Sequence, residues 1–264
     1  MKLKSQIPFF LLITLLLSAV FSLNITAASA QIKFSPATDL RPPLKEFIIS
    51  YAIVIKGKKI DGIAESYNGG VKTAFVQNGK VRLRLVSLMR TQSIFFNNKK
   101  GITSKVAAVV KESGKDKAKF YLSDKEWKIY NQKYDSNTCE TFSSDTLRVL
   151  DKLCIKAIIT TKKGAKLTVY YYPGAKSSAL AAAEPAFSCV PGIVLKYIYT
   201  VGDKSIEYIA TSVSRKPIAA SVFNIPVKGY KLQKYRPGTT NVNVDDLSNE
   251  GVDDMIEDEE DTEN

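Results

Sequence analysis

Three cysteines have the most distinctive chemistry among the side chains of this sequence. They are Cys139, Cys154 and Cys189, and their spacings of 15 and 35 residues match no zinc-binding motif. In an oxidising compartment two of them would tend to form a disulfide, which leaves the third as a thiol. Our first expected pairing is Cys154 with Cys189, and Cys139 is the alternative partner. Three unpaired, partly buried cysteines are the competing interpretation.

Groups that usually perform catalysis are missing from the sequence. It contains no histidine, which removes the commonest general base and the Ser-His-Asp triad. It also lacks Gly-x-Ser-x-Gly, a phosphate-binding glycine loop and Ser-x-x-Lys. The acidic pair Asp124 and Glu126 is better explained as negative charge at a helix N-terminus. We therefore expect a protein that is not an enzyme, with no catalytic residues, no metal site and no cofactor.

The first thirty residues have the order of a secretory signal peptide. Lys2 and Lys4 precede an apolar run at 7–23, and Ala28-Ser29-Ala30 forms a small-residue cleavage site. The alternative is an uncleaved anchor, although 17 apolar residues fall short of the roughly 20 that usually span a bilayer. The residue directly after the cut is Gln31 and not a cysteine, so we expect no lipoprotein attachment. Residues 31–264 should therefore be exported, to the periplasm or the cell exterior.

Charge divides the exported part into a basic body and an acidic end. Residues 245–264 contain eleven acidic and no basic residues, whereas residues 31–244 contain 36 basic and 15 acidic residues, a formal charge of +21. The lysines are scattered over strands and turns, and no nucleic-acid-binding module is recognisable. The charge therefore favours an anionic envelope surface over nucleic acid as a partner. Ordinary lysines that protect sheet edges are the alternative explanation.

Alternation of apolar residues predicts a succession of strands with short connections. Phe47 to Ile55 alternates along one face, and Asn78-Gly79 lies between two β-type runs, which is a strong hairpin signal. Strands are predicted at 47–55, 60–67, 71–77, 80–89, 93–97, 105–111, 153–161, 165–172, 193–201, 204–215 and 225–231. Ser123 is predicted to cap a short helix that continues to about Lys133, with Glu126 at its third position.

Other connections are less defined by their sequence. The polar stretch 134–145 could divide two halves of the domain or form a lid, and the Ala-rich stretch 175–186 could be a loop or a helical turn. Residues 217–223 are predicted as a short helix.

These elements predict a mainly β protein. We expect a large curved antiparallel sheet or incomplete β-barrel, with one or two short helices on its concave side. The predicted organisation is a signal peptide at 1–30, an extended lead at 31–44, the β domain at 45–235 and a disordered acidic tail at 236–264. No later segment is long and apolar enough to span a membrane, so we do not expect an integral membrane protein.

Two motifs in the second half resemble a known group of proteins. The sequence Cys-Val-Pro-Gly-Ile-Val-Leu-Lys-Tyr begins at Cys189, and Phe-Asn-Ile-Pro-Val-Lys-Gly-Tyr runs from Phe223 to Tyr230. Together with Lys80-Val-Arg-Leu they resemble uncharacterised exported bacterial proteins of the Bacteroidetes type, over roughly 47–232. The resemblance implies a half-barrel similar to the periplasmic lipoprotein carriers, which bind acyl chains around an apolar cavity.

Two functions follow from these expectations. The first is binding of a lipid or another apolar ligand in the half-barrel, where Tyr170, Tyr171, Tyr172, Tyr197 and Tyr199 could line the cavity. The second is a cell-envelope structural or protein-interaction module without a small ligand. The sequence assigns no individual ligand-binding residue, and tyrosines of this kind also commonly fill a core.

Overall fold

The computed structural model describes residue 40 and residues 44–57, 62–97, 105–201 and 204–237. The predicted signal peptide, most of the N-terminal lead and nearly all of the acidic tail lie outside the described residues.

Twelve strands form one sheet in which neighbouring strands run antiparallel, apart from the last short strand. The strands are β1 (Glu46–Lys56), β2 (Val71–Gln77), β3 (Lys80–Val86), β4 (Arg90–Asn97), β5 (Ala107–Ser113), β6 (Asp116–Leu122), β7 (Thr138–Val149), β8 (Lys152–Thr160), β9 (Lys166–Tyr172), β10 (Ile193–Val201), β11 (Lys204–Ser214) and β12 (Lys231–Leu232). Their order is β12-β6-β5-β4-β3-β2-β1-β11-β10-β9-β8-β7. The sheet consists of two meanders that meet where β1 pairs with β11. The predicted mainly β class is confirmed.

One face of the sheet carries the main core, and we call it the inner face and its opposite the outer face. Strand side chains alternate between the two faces, so every second residue of β1 from Phe47 to Ile55 is buried. The most deeply buried apolar residues of this core include Phe47, Ile49, Ile53, Ala74, Leu83, Leu85, Val109, Leu122, Ala157, Ile159, Val169, Leu195 and Ala210. A core that touches nearly every strand holds the sheet together by burial of apolar area.

Within the described ranges three short α-helices accompany the sheet: α1 (Gly62–Tyr67), α2 (Asp124–Tyr130) and α3 (Ser178–Ala183). Helix α2 begins with the predicted capping box, in which the Ser123 side chain accepts from the Glu126 N–H and the Glu126 carboxylate accepts from the Ser123 N–H. Its buried Trp127 packs on Phe96 with ring centroids 5.2 Å apart. Among the described residues, none of the helices is long and apolar enough to cross a membrane.

After β11 the chain crosses the outer face, and we call residues 216–230 the outer strap. Polar groups of the sheet hold its backbone: Arg82 Nη1 donates to the Val222 carbonyl at 3.1 Å, and Lys119 Nζ donates to the Pro226 carbonyl at 2.7 Å. The chain then pairs with β6 through β12 and passes that edge. Tyr235 stacks on Phe120 of the inner-face core at 5.9 Å. The strap therefore covers the outer face over β3–β6, and the segment that follows it closes one edge of the sheet.

The structure differs from the sequence-based assignment in several segments. Strand β6 (Asp116–Leu122) was not predicted, and of 217–223, predicted as a short helix, only Ala220–Phe223 forms a 3-10 helix. The strand predicted at 60–67 is wrong over its described part, because 62–67 form α1, and six residues are too few for periodicity to separate helix from strand. The strand predicted at 80–89 ends at Val86, and a turn leaves Met89 exposed. The polar stretch 134–145 contains much of β7, whose pairing with β8 outweighs its low apolar content. Only the last residue of 225–231 is a strand residue; the rest is strap.

Candidate functional site

A buried ion pair lies on the inner face. Lys72 of β2 points inward in phase with Ala74 and Val76, and its ammonium contacts the carboxylate of Glu184, which follows α3. The two side chains are only 1% and 4% exposed. Lys72 Nζ also donates to the Tyr197 hydroxyl at 3.0 Å. Each charge therefore has a partner of opposite sign or a hydrogen bond, as buried charges require.

Aromatic rings surround this pair. The Lys72 ammonium lies 5.2 Å from the ring centroid of Tyr197 and 5.8 Å from that of Tyr208, and those two rings stack at 4.3 Å. Burial raises the pKa of Tyr51 and that of Tyr197 far above their ordinary value, although Lys72 opposes the shift. Both hydroxyls therefore stay protonated, and the Tyr51 hydroxyl donates to the Val194 carbonyl at 2.8 Å.

The connection between β9 and β10 covers this centre. It leaves the sheet after Tyr172, and its helix α3 packs against β2 and β3. Beneath it a cavity of about 20 Å³ remains, lined by residues that include Tyr51, Leu180, Glu184 and Phe187. This volume is close to the space that one water molecule needs. The inner-face centre is therefore filled by the protein's own side chains, and it leaves no room for a lipid.

A larger cavity lies on the outer face, and we call it the outer pocket. Its volume is about 360 Å³, and the sheet and the outer strap both contribute to its wall. Its lining residues are Lys80, Val81, Phe95, Phe96, Asn97, Lys105, Val106, Ala107, Ala108, Tyr121, Phe223 and Ile225. The register places Phe95, Ala108 and Tyr121 side by side on β4, β5 and β6. The pocket thus has an apolar floor and an apolar roof.

Two lysines belong to the lining of the outer pocket. Lys80 begins β3 and pairs with Asn97, while Lys105 stands just before β5, so both lie at the same end of the strands. Both side chains are exposed. The Lys105 ammonium lies 4.4 Å from the ring centroid of Tyr121. Cations at the rim of an apolar pocket could contact an anionic group of a bound molecule.

A third cavity of about 370 Å³ lies beside the turn between β7 and β8. It is lined by Leu147–Asp151 together with Lys196 and Ile209. Lys196 Nζ is 3.4 Å from Glu207, and Glu207 also bonds Lys56 at 2.7 Å. Burial raises the pKa of Glu207, but these two lysines outweigh it, and the pKa is lowered overall. Of the two cations that line this cavity, Lys196 is thus already matched by a carboxylate, and Arg148 Nη1 donates to the Asp151 carbonyl at 3.3 Å.

The disulfide joins Cys139 of β7 to Cys189 at the end of the β9–β10 connection. It uses the alternative partner, Cys139, in place of the first expected pairing of Cys154 with Cys189. Cys154 lies in β8, where its side chain faces the inner core and is fully buried. It is a free thiol and not part of the disulfide. Burial raises the pKa of the Cys154 thiol to about 11. The thiol form therefore dominates at neutral pH, which is unsuited to a nucleophile.

The five tyrosines considered as cavity-lining residues divide between the two faces. Tyr171 and Tyr197 are buried in the inner core, while Tyr170 and Tyr172 alternate with the buried positions of β9 and pack, half-buried, against the same cluster. Tyr199 packs at the margin of the inner core. None of the five lines the outer pocket. Within the described part of the chain, no group of three or more acidic or cysteine side chains is placed to hold a metal ion.

Sequence reasoning missed both Lys72 and the rim lysines. In the sequence Lys72, Ala74 and Val76 occupy every second position of a strand, so their side chains lie on the same face. The two apolar neighbours were therefore a signal that Lys72 faces the core. Lys80 and Lys105 carry no local signal, because their proximity depends on the pairing of three strands and on the path of the strap.

No protein-family model matches this sequence, and no curated protein matches it. Two solved structures show a distant likeness in fold. One is the crystal structure of MucB, with a TM-score of 0.33 and 10% identity over 70% of this chain, and the chain covers 58% of MucB. The other is an uncharacterised conserved protein from Thermus thermophilus, with a TM-score of 0.33, 8% identity, and 73% and 92% of the two chains covered. Neither likeness identifies a function.

Proposed function

We propose that this chain is an exported, non-enzymatic protein that binds a small apolar molecule in the outer pocket. One observation carries the proposal: a cavity of about 360 Å³ lies between the sheet and the outer strap and is walled largely by apolar side chains. Small-molecule sites usually measure about 300–1,000 Å³ and combine apolar walls with a few polar groups. The filled centre beneath the β9–β10 connection supports this choice, because its cavity is only about 20 Å³.

The proposal modifies what the resemblance to exported bacterial proteins and lipoprotein carriers implies. Those carriers would place an apolar ligand inside the half-barrel, whereas the pocket proposed for this chain is on the outer side. Membership of that group, export and the absence of catalysis all remain parts of the proposal.

A titration with the neutral dye Nile red tests the proposal. We expect saturable binding to the native protein at one site, with a blue-shifted emission. Ile225→Trp should weaken binding because Ile225 lines the pocket and a larger side chain would fill it. Val227→Trp is the matched control, since Val227 lies on the same strap, is 77% exposed and does not line the pocket. Absence of binding, or equal binding by both variants, would contradict the proposal.

A second candidate is a protein-interaction module of the cell envelope. The observation that favours it is an apolar tip between β3 and β4, where Leu88 and Met89 are 89% and 63% exposed. Adjacent exposed apolar side chains of this size are typical of contact surfaces. The test is co-purification from the native envelope with the wild type and with Leu88→Asp/Met89→Asp. A partner retained by both proteins would exclude this tip as the contact.

A further inference from the structure

We infer that the outer pocket takes a single-chain amphiphile with an anionic head group, which Lys80 and Lys105 hold at the rim while the apolar chain lies between Phe95 and the strap. This inference rests on the proposed function of the pocket and adds the chemical class of its ligand.

The positions of the two lysines carry the first step. Lys80 and Lys105 line the pocket from two different strand ends, and both are exposed, so a head group at the rim would meet two ammonium groups and water. Phe95 and Ala108 lie further in, on the same outer face. Charge at the entrance and apolar surface behind it match a molecule with one anionic end.

Neighbouring charges carry the second step. Glu126 is a nearby carboxylate whose pKa Lys105 helps to lower, and its Oε2 accepts hydrogen bonds from the backbone N–H and the hydroxyl of Ser123 at 2.8 and 2.7 Å. Lys105 contacts the Tyr121 ring, and an ammonium has three N–H donors, so Lys105 can keep its contacts and also bind an anion. A further outer-face cation, Lys119, is directed to the strap backbone.

Cavity volume sets the size of the molecule. At about 360 Å³ the pocket is near the lower end of the range for small-molecule sites. That volume suits one chain or one ring system and is too small for a lipid with two long chains. The same basic rim would repel a cationic amphiphile.

Isothermal titration with decanoate and decan-1-ol tests the inference, because the two probes share a chain length and differ in charge. We expect decanoate to bind the wild-type protein about tenfold more tightly than decan-1-ol does. Two exposed charge contacts of modest strength would give a difference of this size. Lys80→Gln/Lys105→Gln should remove this difference and leave decan-1-ol binding unchanged. Raising the salt concentration should reduce the difference in the wild type, since the contacts are exposed.

A matched control separates local contacts from net charge. Lys115→Gln/Lys166→Gln makes the same change in charge at two exposed positions that do not line the pocket. We expect this variant to keep the preference for decanoate. Equal affinity of the wild type for both probes, or a preference that survives in Lys80→Gln/Lys105→Gln, would overturn the head-group inference while the pocket still binds. Failure of both probes to bind would overturn the proposed function itself.

Discussion

Removing one member of the Lys72–Glu184 pair should destabilise the protein more than removing both. Both side chains are almost fully buried, so solvent does not screen the pair. Lys72→Met leaves the Glu184 carboxylate without its ammonium partner, and an unpaired buried charge of this kind costs about 3–5 kcal/mol. That is a large part of a typical free energy of unfolding, about 5–15 kcal/mol.

The double variant Lys72→Met/Glu184→Leu should behave differently. Both charges are gone and apolar side chains replace them, so the free energy of unfolding should equal that of the wild type or exceed it by about 1–4 kcal/mol. The matched control is Lys56→Met, which breaks an ion pair whose lysine is 60% exposed and should cost only about 0–1 kcal/mol.

Urea unfolding followed by far-ultraviolet circular dichroism and by the fluorescence of Trp127, the only tryptophan, measures these values. The wild type, Lys72→Met, Glu184→Leu and the double variant form a cycle that gives the coupling energy of the pair directly. A cost below about 1 kcal/mol for Lys72→Met, or a double variant as unstable as the sum of the single ones, would refute this reasoning about the pair.

Three further predictions concern the disulfide, the cap of α2 and the strap. Reduction of Cys139–Cys189, which closes a loop of 50 residues, should lower the free energy of unfolding by about 4 kcal/mol on the chain-entropy model; an unchanged urea midpoint in reductant would contradict this. Ser123→Ala should cost about 1 kcal/mol in urea unfolding, because it removes the capping side chain; Ser123→Asn, which can still cap, should cost less. In the wild type the Tyr230 hydroxyl donates a hydrogen bond to Glu112, and this bond lowers the pKa of the Glu112 carboxyl below its usual 4.5. Tyr230→Phe removes that hydrogen bond. A lowered pKa stabilises the fold above pH 4.5, and this contribution is lost as the pH falls through the folded-state pKa, so the variant should cost about 1 kcal/mol at pH 7 and less at pH 3. Equal costs at the two pH values would contradict the assignment.

Local signals predicted much of the fold correctly. Asn78 and Gly79 have positive φ angles of 49° and 85°, as a tight hairpin turn demands, and β2 and β3 pair in register on either side of them. Ser123 and Glu126 form the predicted box at the start of α2. In each case the residues that determine the structure lie within a few positions of one another.

Features that depend on distant residues were missed. Strand β7 is polar and lies at the sheet edge, so only its bonds to β8 identify it as a strand. The segment 225–230 is apolar enough to be a strand, but Arg82 and Lys119 hold the strap across the outer face. The outer pocket exists only where that strap meets β4–β6. No spacing within the chain encodes this meeting.

The position of β1 has a consequence for how the chain folds. Residue 48 of β1 pairs with residue 214 of β11, so the first strand can pair on this side only after one of the last strands has been brought next to it. Each meander can form from nearby residues, whereas even the innermost pair of the seam, Lys56 with Ser205, closes a loop of about 150 residues. Pairing over such a distance is slow, because the chain entropy is lost before the contacts form. We expect the seam to form after the transition state. Ile53→Val should then mainly accelerate unfolding, and a slowed refolding rate in stopped-flow measurements would place the seam in the nucleus instead.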